Sequence, residues 1–146
     1  MLDRAIAIAT EVHKGQTDKA GDPYILHPIR VMMRMETIDE MVTAILHDVI
    51  EDSQDDDKWS IERLKKEGFS QDILDALVNL TRGENETYEA FIERAEKLPL
   101  SRKVKIADLE DNMNMMRIKN LTEKDSDRLM KYHKSWLKLK KIDSES

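Results

Sequence analysis

One short segment of the sequence concentrates side chains that can bind a metal ion and move a proton. It reads LHDVIED over residues 46–52, so one imidazole and three carboxylates lie close together. At about 100° per residue, a helix places His47, Asp48, Glu51 and Asp52 within an arc of roughly 140°. Burying these carboxylates is costly unless water or a cation compensates their charge. The nitrogen and oxygen donors of the His-Asp pair suit Mn²⁺, Fe²⁺ or Zn²⁺ better than Ca²⁺.

Two protein ligands seldom hold an ion tightly, so further ligands are expected from other segments. His27 is one candidate because it opens a helix directly before Pro28, although a residue there often only satisfies local backbone groups. Asp108 is another because it follows an apolar stretch, although it could equally be a solvated helix residue. Since a His-Asp pair is also common by chance, each candidate is weak when taken alone.

The composition limits the possible classes of protein. The 146 residues suffice for one domain, predicted to span 1–146, with 40% hydrophobic and 37% charged residues. A net charge of -6 argues against a nucleic acid polymer as partner but allows a small anionic substrate beside a bound cation. The absence of cysteine excludes disulfides and thiolate sites. No apolar run is long enough to span a membrane, so we expect no membrane association and a cytoplasmic location.

Helical periodicity dominates the chain, which predicts an all-α single domain built as a bundle of about eight helices. Three of these helices would carry the candidate ligands. The second begins near His27, the third runs from Asp39 to about Asp52, and the seventh from about Ser101 to Met113. Thr122 and Asp125 resemble a capping box that opens the eighth helix.

Four motifs occur in an order that is much more specific than the His-Asp pair. They are His13–Gln16, Gly21–Pro28, Leu46–Ser53 and Val104–Met113. In these motifs the chain resembles the HD hydrolase domain of the RelA/SpoT homologue family, in particular the stand-alone small alarmone hydrolases. This resemblance implies an all-α HD fold and removal of the 3′-pyrophosphate from a guanosine alarmone, (p)ppGpp.

The resemblance also assigns roles at the metal and at the attacking water. It implies one Mn²⁺ ion, with other divalent transition metals possible. Glu51 and Asp52 match the acidic pair that positions or activates the water, so they are the predicted catalytic residues. The residues that match the metal ligands are His27, His47, Asp48 and Asp108.

Further residues are predicted to bind the nucleotide substrate. Asn112 matches a residue that contacts the ribose, and Tyr132 matches an aromatic residue that lines the pocket. Lys19 matches a basic residue beside the substrate, and both Lys19 and Lys105 can neutralise phosphate oxygens as point charges. Tyr24 belongs to the second motif and is predicted to contact the substrate.

Two departures from the family pattern leave the base of the nucleotide open. Asp18 stands where the family has an arginine that lies against guanine, which removes a cation–π contact. Glu110 and Asp111 make acidic a stretch that is usually basic or neutral. The alternatives are therefore an HD phosphohydrolase acting on an adenosine alarmone or NADPH, or a catalytically inactive nucleotide-binding or interaction module. The oligomeric state does not follow from the sequence.

Overall fold

A computed structural model describes residues 1–145 of the chain, and Ser146, the last position of the predicted domain, lies outside the described residues. The described part contains nine α-helices, two short 3-10 turns and no strand, so the expected all-α class is confirmed. The helices are α1 (Leu2–Val12), α2 (Leu26–Met33), α3 (Ile38–Leu46), α4 (Val49–Asp52), α5 (Ile61–Glu67), α6 (Gln71–Leu80), α7 (Tyr88–Ala95), α8 (Pro99–Asn112) and α9 (Glu123–Glu145). The 3-10 turns are Asp55–Asp57 and Met115–Arg117.

Side-chain caps fix where several helices begin. The hydroxyls of Ser60, Ser70 and Thr87 each accept a backbone N–H from the first turn of α5, α6 and α7. These bonds satisfy donors that have no partner within the helix. α5 ends at Gly68, whose φ of 101° is a left-handed conformation that glycine adopts without a steric penalty. Residues next to these short helices thus set where each one begins and where α5 ends.

Helix α3 lies at the centre of the fold. Its residues Val42 to Leu46 are all buried, and it packs against α1, α2, α6 and α8. The largest apolar cluster joins its Ile45 and Leu46 to α1 and to Leu74 and Leu77 of α6. Because this helix is enclosed on most sides, His47, the residue that follows it, lies in the interior of the molecule.

The expectation of one continuous third helix from Asp39 to Asp52 is wrong, because the chain breaks between α3 and α4 at His47 and Asp48. The carbonyl of Ala44 would accept the N–H of Asp48 in a regular α-helix. Here that carbonyl accepts the Nδ1–H of His47 at 2.6 Å and the backbone N–H of His47 at 3.3 Å. The break lets two adjacent side chains point to one place, which the 100° step of a regular helix would not allow.

Helices α8 and α9 close the other side of the bundle. α8 is buried over most of its length, and Leu139 of α9 is fully buried against Ile92, Ile106 and Leu109. No helix within residues 1–145 has both the length and the apolar character required to cross a membrane.

The contact between α8 and α9 can be tested with two leucines of α9. Leu139→Ala removes a fully buried side chain and should lower the free energy of unfolding by about 2–5 kcal/mol. Leu137 is 51% exposed, so Leu137→Ala should change it by less than about 0.5 kcal/mol. Urea unfolding followed by circular dichroism measures both values. Equal losses in the two variants would contradict the packing of α9 described above.

Candidate metal centre

Three parts of the fold bring four side chains to one buried point. α2 supplies His27, the junction of α3 and α4 supplies His47 and Asp48, and α8 supplies Asp108. One ligand atom from each of His27, His47 and Asp108 lies within 4.8 Å of the other two. Asp48 adds Oδ2, which lies 3.1 Å from Nε2 of His47 and 3.8 Å from Nε2 of His27.

The imidazole of His47 presents an unused nitrogen to this point. Its Nδ1–H donates to the carbonyl of Ala44 at 2.6 Å, which leaves Nε2 as the nitrogen available to an ion. Nε2 lies 3.1 Å from Asp48 Oδ2 and 3.3 Å from Asp108 Oδ1, yet it has no partner in hydrogen-bonding geometry. A buried nitrogen without a partner is uncommon, and a metal ion would satisfy it.

His27 is held from both sides. Its Nδ1 lies 2.7 Å from Oδ2 of Asp111, and its Nε2 lies 2.9 Å from Oδ1 of Asp108. Asp111 is 1% exposed and also accepts two hydrogen bonds from Arg30, whose Nε and Nη2 donate to its two oxygens at 2.7 and 3.0 Å. The ring of His27 therefore has a fixed orientation, with Nε2 facing Asp48 and Asp108.

The two carboxylates of the centre are also oriented by neighbours. Tyr24 donates its hydroxyl to Oδ2 of Asp48 at 2.5 Å. Lys105 donates to Oδ2 of Asp108 at 2.8 Å, and Asn112 donates to Oδ1 at 3.2 Å. Each predicted ligand thus has a second contact that restrains its side chain, as is usual around protein metal sites.

The spacing and chemistry of the donors fit a divalent metal ion. Two ligand atoms bound to one ion at about 2.1 Å are about 3 Å apart when they subtend a right angle. The separations of 2.9, 3.1 and 3.3 Å among the donor atoms are close to this value. Two imidazoles and two carboxylates form the mixed nitrogen and oxygen set that Mn²⁺, Fe²⁺ and Zn²⁺ accept.

Protons and a metal ion would compete for the imidazoles. Burial lowers the pKa of His27, but the carboxylates of Asp108 and Asp111 outweigh this effect and raise the pKa to about 9. His47 follows the same pattern, since Asp48 and Asp108 raise its pKa well above the usual value despite burial. Burial opposes ionisation of Asp108, but Lys105 and His47 hold its pKa well below the usual range.

Glu51 and Asp52 belong to α4 and follow the proposed ligands His47 and Asp48 by four residues each. Desolvation raises the pKa of Glu51, and although the N–H of Arg82 donates to its Oε1 at 2.6 Å, the net shift is upward. Burial also raises the pKa of Asp52, with a further contribution from the charge of Asp48. Gln16 donates to Oδ2 of Asp52 at 3.2 Å. Both carboxyl groups therefore have a hydrogen-bond partner and a pKa above the usual value.

A cleft of about 420 Å³ opens beside the centre. Tyr24 and Asn112 connect the cleft with the metal centre, because each lines the cleft and also donates to a predicted metal ligand. Four of the predicted substrate-binding residues line it, namely Lys19, Tyr24, Asn112 and Tyr132. Lys105 is not among the lining residues, because its buried ammonium is turned to Asp108 and lies 4.7 Å from the centre of the Phe91 ring.

Several residues at the site were missed by the sequence analysis. Arg117 and Arg128 line the cleft and bring positive charge to it, and Arg128 precedes Tyr132 by one helical turn, a spacing that could have revealed it. Asp111 follows Asp108 by three residues and shares its face of α8, so the same spacing rule applies. Gln16 could not have been connected to Asp52, because that bond spans thirty-six residues.

The acidic residue at position 18 has a local structural role. Oδ1 of Asp18 accepts the backbone N–H groups of Ala20 and Asp22 at 2.9 and 3.0 Å. This bonding resembles that of an Asx turn and orders the loop that forms one wall of the cleft. The carboxylate is thus partly satisfied by its own loop while it lines the cleft.

Comparison with known proteins agrees with this arrangement. The profile of the HD domain family matches residues 24–116. A probable GTP pyrophosphokinase of Mycobacterium leprae is 31% identical over 130 residues, covering 80% of this chain and 16% of the relative. A guanosine-3′,5′-bis(diphosphate) 3′-pyrophosphohydrolase of Haemophilus influenzae is 32% identical over 123 residues, covering 75% and 18%. The chain therefore spans less than a fifth of the length of these curated relatives.

A solved structure shares the fold. It is that of a metazoan SpoT ortholog described as hydrolysing ppGpp, and it matches with a TM-score of 0.76 at 23% identity. The match covers 99% of this chain and 92% of the other. At this level of identity the likeness shows the arrangement of helices.

Metal binding can be tested with two histidines. His47→Ala removes the buried nitrogen that has no partner and should abolish tight binding of Mn²⁺ in isothermal titration calorimetry. His133 is exposed on α9 and does not belong to the cluster of possible ligands, so His133→Ala should bind Mn²⁺ like the wild type. Undiminished binding by His47→Ala would show that the ion is held elsewhere.

The raised pKa of His27 predicts a pH dependence of metal affinity. Because the imidazole holds its proton up to about pH 9, an ion must displace that proton at neutral pH. Affinity for Mn²⁺ should therefore rise between pH 6 and pH 8, by up to about tenfold per pH unit for each proton displaced. Titrations in buffers of different ionisation enthalpy measure the protons released. Affinity that is constant over this range would contradict the assignment of His27 as a ligand.

Proposed function

The chain belongs to the HD domain family, and on this basis we propose that it is a metal-dependent phosphohydrolase that removes the 3′-pyrophosphate from guanosine alarmones, (p)ppGpp. The observation that carries the proposal is the meeting of two imidazole nitrogens and two carboxylates beside a cleft that Lys19, Arg117 and Arg128 line. We further propose that residues 1–146 act as one HD-type domain in the cytoplasm.

The proposed ligands are His27, His47, Asp48 and Asp108, and the proposed ion is Mn²⁺, with other divalent transition metals as substitutes. When bound, such an ion lowers the pKa of a water molecule and polarises a phosphoryl oxygen. The side chains around it fix the orientation of the ligands. Lys105, which lies 2.8 Å from Asp108, supplies a positive charge that offsets the buried carboxylates.

Glu51 is the proposed general base. It follows His47 by four residues, its carboxylate accepts the backbone N–H of Arg82, and its raised pKa brings it nearer to neutral pH. A carboxylate with these properties can accept a proton from an attacking water. Asp52, held by Gln16, is proposed to position that water or to tune the charge of Glu51.

The cleft is proposed to hold the nucleotide. Asn112 is proposed to bind the ribose, with Tyr24 and Tyr132 on the walls around it. Lys19 is proposed to neutralise phosphate oxygens, and Arg128, which also lines the cleft, adds a further cation. The predicted role of Lys105 at the phosphates is not kept, because its buried ammonium is paired with Asp108. A substrate with several phosphates suits this distribution of positive charge within a chain whose net charge is -6.

Asp18 favours a second candidate, a related phosphohydrolase that acts on an adenosine alarmone or NADPH. A carboxylate that lines the cleft cannot provide the cation–π contact that an arginine would make with guanine. Its bonds to Ala20 and Asp22 occupy one of its oxygens, so the other is free to accept a hydrogen bond from a base.

A nucleotide panel with Mn²⁺ tests the chemistry and the base together. We expect guanosine 3′,5′-bis(diphosphate) to release pyrophosphate, measured by anion-exchange chromatography, with the adenosine analogue and NADPH as competing substrates. Asp48→Ala should release none. Turnover of the adenosine analogue or NADPH alone would favour the second candidate, and no turnover of any nucleotide would contradict both.

The role of Glu51 can be tested separately with a matched pair of variants. Glu51→Gln keeps the size of the side chain and should lower kcat by about 10²–10⁴ because a positioned base is lost. Glu84 is exposed in the turn before α7, so Glu84→Gln should leave kcat unchanged. Metal affinity, measured alongside, should be retained in both variants. Full activity of Glu51→Gln would contradict the assigned role.

A further inference from the structure

We propose that Asp111 is a positioning residue for the metal centre, which accepts the Nδ1–H of His27 and thereby directs Nε2 of that ring towards the ion. Asp111 has no role in the family pattern, and the sequence motifs assign it none. The inference rests on the metal-dependent function proposed above, and it adds to that function the part of the site that orients one ligand.

The geometry follows from two matched spacings on facing helices. His27 and Arg30 are three residues apart on α2, and Asp108 and Asp111 are three residues apart on α8, so each pair lies on one face of its helix. α2 packs against α8, which sets the two faces opposite each other. His27 therefore lies between the two carboxylates, 2.9 Å from Asp108 and 2.7 Å from Asp111.

The two contacts of His27 have different consequences. An imidazole that donates through Nδ1 presents its lone pair at Nε2, and only that lone pair can bind an ion. Nε2 lies 2.9 Å from Asp108 and 3.8 Å from Asp48. It therefore faces the point between these carboxylates at which the ion is proposed to bind. Asp111 contacts only the far side of the ring, so it acts through His27 and does not reach the ion.

Arg30 keeps Asp111 in this position. It donates through Nε to Oδ1 at 2.7 Å and through Nη2 to Oδ2 at 3.0 Å, a two-point contact that fixes the plane of the carboxylate. Asp111 is 1% exposed, so its negative charge must be compensated inside the protein. Arg30 and His27 supply this compensation, at 2.7 Å each.

The neighbouring Glu110 provides a matched control. It is also acidic and also on α8, but its carboxylate accepts from Arg34 at 3.3 Å and from Trp136 at 3.2 Å. It makes no contact with His27. Replacing either acid by its amide removes one negative charge from the same turn of helix, so a general effect of charge would appear in both variants.

The experiment measures the affinity of the full chain for Mn²⁺ by isothermal titration calorimetry, after chelation and at a temperature at which circular dichroism shows each variant fully folded. Asp111→Asn should bind Mn²⁺ about 10–100-fold more weakly than the wild type, as is typical when the residue that orients a ligand is changed. Glu110→Gln should bind within about twofold of the wild type, because it leaves the contacts of His27 intact.

A purely structural role for Asp111 would lower the stability of the fold and leave the affinity of the folded protein unchanged. Should Asp111→Asn not fold, the double variant Arg30→Met with Asp111→Leu removes both charges together and should show the same loss of affinity. Affinity within twofold of the wild type in the folded variant, or an equal loss in Glu110→Gln, would overturn the inference. Nucleotide hydrolysis by the wild type is assayed on the same samples, so tight Mn²⁺ binding without hydrolysis would contradict the proposed function alone.

Discussion

The structure depends on one electrostatic constraint: the buried carboxylates of Asp108 and Asp111 and the half-buried carboxylate of Asp48 are crowded together in a small helical bundle. Buried anions are tolerated only when cations and hydrogen-bond donors surround them. Lys105 and Arg30 provide fixed positive charges at 2.8 and 2.7 Å. Most of the polar contacts near the centre can be understood as ways to meet this requirement.

Two imidazoles complete the compensation, and they connect the electrostatics with the proposed chemistry. The carboxylates raise the pKa values of His27 and His47. Protonated imidazoles therefore offset the negative charge of the carboxylates when no ion is bound. A divalent ion can take the place of those protons at the same point. Positive charge outside the centre is also local, since residues 128–142 of α9 contain six basic and no acidic residues while the chain has a net charge of -6. Arg128, at the start of this stretch, lines the cleft.

The all-α fold could be predicted because helical periodicity and capping residues act locally along the chain. The convergence of ligands from α2, α3 and α8 could be expected only from the family resemblance, since contacts that span about eighty residues leave no periodic signal. The break after His47 could not be predicted, because it arises from competition for the carbonyl of Ala44. The burial of Lys105 could not be predicted either, because it depends on a tertiary contact. Its side chain turns inward and donates to the carboxylate of Asp108.

The central claim is that His27, His47, Asp48 and Asp108 share one metal ion. Crystals grown with Mn²⁺ and measured at the manganese absorption edge would locate the ion by its anomalous signal. One peak within about 2.0–2.3 Å of an atom from each of the four side chains is expected. A peak elsewhere, or none at this point with Mn²⁺ in excess, would contradict the account.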